Sequence, residues 1–327
     1  MLFQGEPFVV GKALHSTSFP QHFSMLRKAR TPNRKKHPGS ARLRVAAVQM
    51  KFAPTLRQNL ARIERAIHYA ARQHADAVLF PECATTGYTY NFATLTPREL
   101  KGALDVVASL AAQHRINVLV GSPVFDRGRL LNCLVVFDRR GQPVHCYAKC
   151  QLTAEDRRFF HPGNSVALFE LDGTPCTTII CHERRYPELV RLAVMAGARI
   201  VFHPNAGLDA LATSRRKRGG RDGIAVRAFE NAVHYVFANS VGPQGGGRWS
   251  AGDSKIVAPD NTVLKLADNA SESIIVADLD LSLATRRYAL ESMVSPRFLS
   301  SHWRRMISAV RQQALHSTRL LGRRTTP

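Results

Sequence analysis

Long apolar segments are absent from this sequence of 327 residues. No apolar run approaches the roughly 20 residues that a helix needs to cross a bilayer. The beginning of the chain also lacks the extended apolar stretch of a secretory signal. From these two absences we expect a soluble protein that works in the cytoplasm.

Cysteine is scarce, and its six positions form no CxxC pair. A chain of this length with 45% hydrophobic residues can bury a large core without disulfide bonds, so we expect reduced thiols. Cys146 and Cys150 lie near His145, but no second cluster of ligands completes a tetrahedral site. The sequence therefore predicts no metal centre.

Acidic residues are also few, 24 against 46 basic ones, which gives a net charge of +22. The excess is concentrated at the ends: the first 44 residues contain nine Lys and Arg against Glu6, and residues 292–327 contain seven Arg and no acid. No aromatic-interleaved RNA motif or recognition helix accompanies them. We expect residues 1–42 to be a disordered basic extension and residues 291–327 to be a basic helical arm with a tail. Contact of these ends with nucleic acid or an anionic membrane is the alternative.

Residues 43–290 show a regular alternation of strand and helix patterns. The predicted strands are 43–48, 77–80, 117–121, 130–138, 143–147, 166–171, 177–180, 199–203, 234–238, 254–258, 262–266 and 273–279. The predicted helices are 56–74, 97–114, 187–196, 223–232 and 296–313. Long apolar strands between helices, with hairpins among them, are typical of an α/β domain whose mixed sheets are flanked by helices. For the last helix, packing on a partner subunit and packing on its own core are equally open.

One cysteine occupies a position that suits a nucleophile. Cys181 follows the apolar strand that ends at Ile180 and precedes a short turn and a helix beginning at Pro187. A thiol at such a turn lies near the positive end of a helix and, here, near Arg184 and Arg185, and both influences favour a thiolate. A buried structural cysteine fits the local pattern equally well.

Two charged residues stand where an apolar strand opens onto a loop. Glu82 follows the strand 77–80, and Lys149 follows the strand that ends at Tyr147. A glutamate partly removed from water has the raised pKa that proton transfer near neutral pH requires. A fixed lysine can oppose the charge of a tetrahedral oxyanion, together with the backbone N–H of His182, the residue after the candidate nucleophile. Taken singly, each of the two is more often a solvated side chain.

Taken together, these positions resemble the nitrilase, or carbon–nitrogen hydrolase, superfamily, whose hallmark is a Glu-Lys-Cys triad in that chain order. The resemblance spans residues 43–281 and favours the amidase-like branch. The matching blocks are Val45-Ala46-Ala47-Val48-Gln49, Phe80-Pro81-Glu82 with Gly87-Tyr88, Tyr147-Ala148-Lys149, Phe160-His161-Pro162-Gly163-Asn164, Cys181 to Glu188, Arg227 to Asn231, Asn239 to Gly242, and Gly252 to Ile256 with Pro259.

The resemblance implies an α-β-β-α sandwich protomer, commonly paired through helices into a homodimer, without a metal or organic cofactor. It also implies that Glu82, Lys149 and Cys181 are catalytic. A second acidic position, which helps to orient the lysine and the substrate, falls at Glu155 or Asp156. We choose Glu155 because the family prefers the longer carboxylate.

The turn after the nucleophile departs from the family pattern at two positions. An aromatic residue usually follows the cysteine and an aspartate comes next, whereas this chain has His182 and Glu183. His182 either points into the fold or contacts the substrate. Closeness to strand ends gives Tyr88, His182 and Asn205 as candidate substrate-binding residues.

The resemblance implies hydrolysis of a linear amide or an N-carbamoyl compound through a cysteine thioester, with release of an acid and of ammonia or an amine. Amide cleavage ranks above nitrile hydrolysis because it is the commoner chemistry of the superfamily. Acyl transfer to an amine is a rival on the same site. A rival of another class is a non-catalytic scaffold whose basic ends bind nucleic acid or membrane, and the complete Glu-Lys-Cys set argues against it.

Overall fold

The computed structural model describes residues 42–88, 91–216 and 223–314. The predicted basic extension lies outside this part of the chain except for Arg42, and so does the predicted tail from residue 315 onward. The strands are β1 (Arg42–Gln49), β2 (Ala77–Leu79), β3 (Asn117–Asp126), β4 (Arg129–Phe137), β5 (Pro143–Ala148), β6 (Phe169–Leu171), β7 (Thr174–Thr178), β8 (Ile200–Asn205), β9 (Asp209–Ala210), β10 (His234–Asn239), β11 (Val241–Gly245), β12 (Arg248–Ala251), β13 (Lys255–Val257), β14 (Val263–Leu266) and β15 (Ser273–Asp280). The α-helices are α1 (Leu56–Arg72), α2 (Pro97–His114), α3 (Pro187–Ala196), α4 (Leu211–Arg216), α5 (Ile224–Phe229), α6 (Arg287–Ser292) and α7 (Arg297–Ala314).

The two long N-terminal helices begin at residues that satisfy their free backbone N–H groups. The Thr55 side chain accepts a hydrogen bond from Gln58 N at the start of α1. Before α2, Thr96 and Glu99 form a reciprocal capping box, with Pro97 at the first helical position. Both helices then turn an apolar face inward, which fixes them against the sheet beneath.

The strands form two six-stranded mixed sheets and one small sheet. The first sheet has the order β15-β1-β2-β3-β4-β5, and the second has the order β14-β13-β10-β8-β7-β6. At the centre of the first sheet β1, β2 and β3 run parallel, and in the second β7, β8 and β10 run parallel. The small sheet, β11-β12-β9, was not predicted because its strands are short and rich in glycine and polar residues.

Three apolar clusters show how the layers stack. One lies between α1, α2 and the outer face of the first sheet, and includes Ile63, Val107 and Phe80. The second lies between the two sheets, where Leu79 of the first sheet shares a core with Phe202 of the second. The third lies on the outer face of the second sheet, under α3, α5, α6 and α7. The predicted α-β-β-α sandwich is therefore confirmed.

Helix α7 packs on the core of its own chain. Ile307 and Val310 are each 3% exposed and belong to the same cluster as Val190 and Val194 of α3. The structure thus decides between the two placements that the sequence left open for this helix. None of the helices in the described ranges combines the length and apolarity that a bilayer crossing needs.

Candidate active site

The predicted catalytic residues all follow the ends of strands. Glu82 comes after β2 and Lys149 after β5 in the first sheet, whereas Cys181 comes after β7 in the second. The two sheets meet at this edge, because the backbone N–H of Ala206, just beyond β8, donates to Glu82 Oε2 at 3.1 Å. The sandwich thus gathers loops from both sheets around one carboxylate.

Glu82 is completely buried and accepts three hydrogen bonds. Its Oε1 accepts from Lys149 Nζ at 2.8 Å and from Asn132 Nδ2 at 2.7 Å, while Oε2 accepts from Ala206 N. Burial raises the pKa of Glu82 above its usual value, and the nearby charge of Asp156 adds to the rise, although Lys149 opposes it. Glu82 therefore has the environment of a general base.

Lys149 is also completely buried and lies between two carboxylates. Its Nζ is 2.8 Å from Glu82 Oε1 and 2.9 Å from Asp156 Oδ2. Burial alone would lower the pKa of Lys149, but Glu82, Cys181 and Asp156 outweigh it and raise the pKa well above its usual value. The lysine is therefore a permanent cation held in a fixed position.

Asp156, and not Glu155, occupies the second acidic position, so our choice of Glu155 is corrected. The Glu155 side chain is 42% exposed and pairs with Arg158 at 3.1 Å on the surface. Asp156 begins a short 3₁₀ turn and points inward, because its Oδ2 accepts from Thr153 N at 2.8 Å and from Thr153 Oγ1 at 2.9 Å. Its Oδ1 accepts from the Tyr88 hydroxyl.

Cys181 occupies a strained turn. Its φ of 52° lies in the left-handed region, and the residue begins a 3₁₀ turn that extends to Arg185. The carbonyl of Cys181 accepts a hydrogen bond from His203 Nε2 at 3.0 Å, and His203 Nδ1 in turn accepts from the Tyr235 hydroxyl at 3.0 Å. Burial and the charge of Arg184 lower the pKa of His203 well below the usual value, although its hydrogen bond to the Cys181 carbonyl acts in the opposite direction.

The surroundings of Cys181 favour the protonated thiol. Burial and the charge of Glu82 raise its pKa to about 12, although Lys149 and Arg184 act in the opposite direction. Arg184 acts in the direction expected from the sequence, but burial and the charge of Glu82 outweigh it. A base is needed to remove the proton, and Glu82 is the buried carboxylate beside it.

Two glycines permit the close approach of the segments that carry Glu82 and Lys149. A Cβ at Gly121 of β3 would lie 2.2 Å from Pro81 O and 2.8 Å from Glu82 Cα. A Cβ at Gly163 would lie 2.2 Å from Ala148 O, and Gly163 N donates to Lys149 O at 2.8 Å. The second contact explains why the Pro162-Gly163 motif belongs to the site.

The three candidate substrate-binding residues have different surroundings. Tyr88 is 8% exposed, and its hydroxyl donates a hydrogen bond to Asp156 Oδ1. The His182 ring is partly exposed and contacts Tyr186 at 5.7 Å, and its backbone N–H lies at the start of a 3₁₀ turn, where no intrahelical acceptor exists. Asn205 is 5% exposed and donates through Nδ2 to Asn239 at 2.8 Å, while its Oδ1 meets no partner among the described residues.

Two of the cavities in the described part of the molecule differ in their relation to the site. A polar one of about 30 Å³ is lined by Asn205, Arg184 and Asn239, next to the nucleophile turn. A larger one of about 700 Å³ lies between α7 and the β6–β7 hairpin, and none of the predicted catalytic residues lines it. Within the described ranges no group of three or more His, Cys, Asp or Glu side chains is placed to hold a metal ion.

Sequence reasoning missed several contributors to the site. The predicted strand 130–138 gives Asn132 no role, although an amide inside the run from Leu130 to Phe137 is a signal of a buried polar partner. The sequence gives no signal for the N–H of Ala206, because its partner Glu82 is distant in the chain. It gives none for Thr153 either, because the contact with Asp156 depends on how their loop folds.

Comparison with known proteins gives consistent matches. Residues 44–288 match the sequence profile of a family described as "Carbon-nitrogen hydrolase". The chain is 29% identical over 256 residues to a "Nitrilase" of Pyrococcus abyssi, covering 75% of this chain and 92% of that protein. It is 28% identical over 213 residues to a "2-oxoglutaramate amidase" of Bacillus subtilis, covering 64% of this chain and 80% of that protein.

Solved structures with the same fold include an amidase from Nesterenkonia sp. AN1. A mutant of that amidase in complex with butyramide superposes with a TM-score of 0.69 at 24% identity, covering 80% of this chain and 97% of the other. In another mutant of the same amidase, the acetamide moiety of fluoroacetamide is added covalently at the active-site cysteine; the TM-score is 0.69 at 24% identity, with coverage of 80% and 96%. At this level of identity the structural likeness establishes the fold.

Proposed function

Because this chain belongs to the carbon–nitrogen hydrolase family, we propose that it hydrolyses a linear amide or an N-carbamoyl compound with Glu82, Lys149 and Cys181 as its catalytic residues. The observation that carries the proposal is the buried Glu82–Lys149 pair beside Cys181, a cysteine held at a strained turn. A structural cysteine needs neither a buried base nor a permanent cation as its neighbour.

In the proposed first half-reaction Glu82 takes the proton of the Cys181 thiol, and the sulfur attacks the carbonyl carbon of the substrate. Lys149 and the backbone N–H of His182 stabilise the negative oxygen of the tetrahedral intermediate. Glu82 then gives its proton to the leaving nitrogen, the carbon–nitrogen bond breaks, and an acyl thioester remains on Cys181.

In the second half-reaction Glu82 takes a proton from water, and the resulting hydroxide attacks the thioester carbonyl. The carbon–sulfur bond breaks, the acid leaves, and the proton returns to the sulfur. The raised pKa of Glu82 suits this alternation, because a carboxyl that titrates nearer to neutral pH both accepts and donates protons readily.

The names of the relatives support amide chemistry without fixing a substrate. One relative is a 2-oxoglutaramate amidase, and the Nesterenkonia amidase binds butyramide and carries an acetamide moiety on its cysteine. We propose Asn205 and His182 as substrate contacts, since Asn205 Oδ1 accepts no hydrogen bond from the described residues and Asn205 lines the cavity beside the nucleophile turn. Arg184 in the same cavity gives reason to include acidic amides in any screen.

The experiment that tests the proposal is intact-mass analysis after incubation with linear amides, N-carbamoyl compounds and aliphatic nitriles, quenched early in acid. We expect a substrate-dependent acyl adduct that maps to Cys181. Cys181→Ala should abolish both the adduct and turnover while keeping the thermal unfolding transition. Cys150→Ala is the matched control, because Cys150 is the other partly buried thiol, and it should retain the adduct. Turnover by Cys181→Ala would overturn the proposal.

Nitrile hydrolysis and acyl transfer remain alternatives on the same site. One relative carries the name nitrilase, and the thioester of a nitrile reaction would map to the same cysteine. The substrate panel separates them: release of ammonia from nitriles indicates the first, and product formation that requires an added amine indicates the second.

A role for the basic ends would be additional to catalysis. Of the described segments, α7 carries four of the arginines of this region, Arg297, Arg304, Arg305 and Arg311. If the chain were a non-catalytic scaffold, it would bind RNA or anionic vesicles in a salt-sensitive way and form no adduct. Deletion of residues 1–41 and 315–327, combined with Arg304→Gln and Arg305→Gln at exposed positions of α7, tests this role. Location in the cytoplasm stays a prediction.

We also propose a homodimer that forms through α5 and α6. Val226 and Phe229 of α5 are 53% and 50% exposed, and Tyr288 and Leu290 of α6 are also exposed. The Phe229 and Tyr288 rings lie 6.1 Å apart, so these side chains form one apolar patch. Light scattering should give twice the chain mass for the wild type and a monomer for Phe229→Glu; a monomeric wild type would contradict this proposal.

A further inference from the structure

Glu183 is a completely buried carboxylate that accepts four hydrogen bonds. Its Oε1 accepts from the Tyr147 hydroxyl at 2.9 Å, from Cys150 N at 2.7 Å and from Gln151 N at 3.1 Å. Its Oε2 accepts from Ile180 N at 2.7 Å. Both oxygens of the Glu183 carboxylate therefore accept from protein donors, three at Oε1 and one at Oε2.

These four donors belong to two segments that carry predicted catalytic residues. Tyr147, Cys150 and Gln151 surround Lys149 in the chain, and Ile180 comes directly before Cys181. The first segment leaves the first sheet and the second leaves the other sheet. Glu183 therefore joins the lysine segment to the cysteine segment across the interface between the sheets.

From this arrangement we propose that Glu183 is a positioning residue that sets the placement of the Lys149 ammonium relative to the Cys181 sulfur. The inference rests on the proposed function, because it concerns the same two catalytic groups. Glu183 does not exchange protons with the substrate, since both of its oxygens are engaged by protein donors. It acts by holding two backbone segments, each one residue away from a reacting side chain.

Charge and length together explain why a glutamate suits this position. All four partners present a hydrogen to the side chain, and three of them are backbone N–H groups that cannot reverse their role. The amide of a glutamine would have to turn its NH₂ group toward at least one of these N–H groups, which breaks one side of the contact. An aspartate is shorter by one methylene and cannot span the same two segments without movement of the backbone.

The test compares Glu183→Gln with wild type and with Glu64→Gln, a matched change at an exposed glutamate of α1. The concentration of reactive sites is first measured by alkylation of Cys181, so that kcat refers to folded protein. We expect Glu183→Gln to lower kcat by about 100-fold with little change in KM, because a displacement of about 1 Å at a reacting group has a cost of that order. Glu64→Gln should match the wild type.

The pH profile of kcat/KM separates positioning from a general loss of stability. Lys149 lowers the pKa of Glu82. If Glu183→Gln lets the ammonium move away, the pKa of Glu82 rises, and the acid limb of the profile shifts to higher pH. A variant that is only less stable keeps the acid limb of the wild type. Folded Glu183→Gln with wild-type kcat and an unmoved acid limb would overturn the inference.

Tyr147→Phe keeps the inference testable if Glu183→Gln does not fold. This change removes one of the four donors and leaves the three backbone hydrogen bonds in place. We expect kcat to fall by about 3- to 10-fold, the effect of one hydrogen bond, with a smaller shift of the acid limb in the same direction. A folded Tyr147→Phe identical to wild type in both measurements would overturn the inference. Failure of the proposed function is distinct, since the wild type itself would then form no acyl adduct.

Discussion

The ammonium of Lys149 lies 2.8 Å from Glu82 Oε1, and both side chains are completely buried. Asp156 Oδ2 lies 2.9 Å from the same ammonium, so two carboxylates share one cation. For Glu82, burial outweighs Lys149 and the pKa is raised. For Asp156, Lys149 and the hydrogen bonds from Tyr88 and Thr153 outweigh burial and the pKa is lowered. The two acids therefore suit different roles. The raised pKa of Glu82 suits proton transfer, whereas the lowered pKa of Asp156 keeps it ionised as a partner of the lysine.

The contact between Asp156 and the lysine predicts that substitutions of the adjacent residues Asp156 and Glu155 have very different effects on kcat. Asp156→Asn should lower kcat by about 100-fold, because the lysine loses one of the two carboxylates that orient it. Glu155→Gln should change kcat by less than about twofold, since the Glu155–Arg158 pair is on the surface. Steady-state kinetics with the best amide of the panel checks both. A larger loss for Glu155→Gln than for Asp156→Asn would restore the assignment made from the sequence.

The positions of the three main site residues were predictable because each follows a short apolar run. Such runs predict buried strands, and a charged residue or thiol directly after a strand lies at the edge of a sheet, where the ends of parallel strands meet. Glu82, Lys149 and Cys181 are in that position in the structure. Their assembly depends on the stacking of the two sheets, which the alternation of strands and helices indicated.

The direction of side chains on loops was not predictable in the same way. Glu155 and Asp156 are adjacent, equally charged and outside any periodic element, so sequence pattern gives no reason to turn one inward. The contacts of Thr153 with Asp156 make that choice. In the same way, the pKa of Cys181 depends on burial and on Glu82, a residue nearly one hundred positions earlier, and both outweigh the nearby Arg184.

Removal of the buried cation should destabilise the fold. Lys149→Met leaves Glu82 and Asp156 facing each other without a counter-charge, which has a cost of about 3–5 kcal/mol when one partner of a buried ion pair is removed. The free energy of unfolding in urea at pH 7 measures this loss. The loss should shrink at pH 5, because protonation of one carboxyl relieves the repulsion.

A double variant provides the control for that experiment. Lys149→Met combined with Asp156→Asn removes one of the two uncompensated charges, so it should be more stable than Lys149→Met alone at pH 7. Both proteins lack the oxyanion cation and should be inactive. A double variant less stable than the single one would contradict the assignment of charge to these groups.

The hydrogen bond from Asn132 to Glu82 should influence the acid limb of activity. Asn132 Nδ2 donates to Oε1 at 2.7 Å and lowers the pKa of Glu82. In the proposed mechanism activity requires the ionised carboxylate, so we expect it to be lost as the pH falls through the pKa of Glu82. Asn132→Leu should raise that pKa, so kcat/KM should begin to fall at a higher pH than in the wild type. Gln113→Leu, at an exposed position of α2, should leave the profile unchanged; a shift to lower pH in Asn132→Leu would contradict the contact.

Two glycines provide a matched test of close packing at the base. Gly121→Ala places a methyl group 2.2 Å from Pro81 O and should displace the segment that carries Glu82, with loss of both stability and kcat. Gly102→Ala lies in α2 with nothing within 4 Å of the new methyl group, and should stabilise the protein by up to about 1 kcal/mol. Thermal unfolding and kcat are measured on both. Equal melting temperatures for the two variants would be inconsistent with the close approach at Gly121.

A histidine with no role in the proposed chemistry is buried between the sheets. His145 of β5 is 3% exposed, its ring stacks on Phe169 at 5.1 Å between centroids, and neither ring nitrogen meets a hydrogen-bond partner among the described residues. Burial lowers the pKa of His145 to about 4. The folded state therefore holds this ring neutral over a pH range in which an exposed histidine is charged.

His145 should make the fold sensitive to mild acid. In the unfolded chain a histidine titrates near pH 6.5. As the pH falls from about 6.5 towards 4, the unfolded state therefore binds a proton that the folded state does not bind, and the free energy of unfolding falls. The loss of stability from this residue is about 2 kcal/mol at pH 5, and it stops growing below about pH 4, where the ring is protonated in both states.

His203 and His234, whose pKa values are also lowered, act in the same direction, so only a comparison isolates His145. Urea unfolding at pH 8 and pH 5 should show a smaller fall for His145→Leu than for the wild type, and an unchanged fall for His161→Leu at an exposed position. An equal fall for His145→Leu and the wild type would mean that the buried ring accepts its proton in the folded state as readily as in the unfolded one.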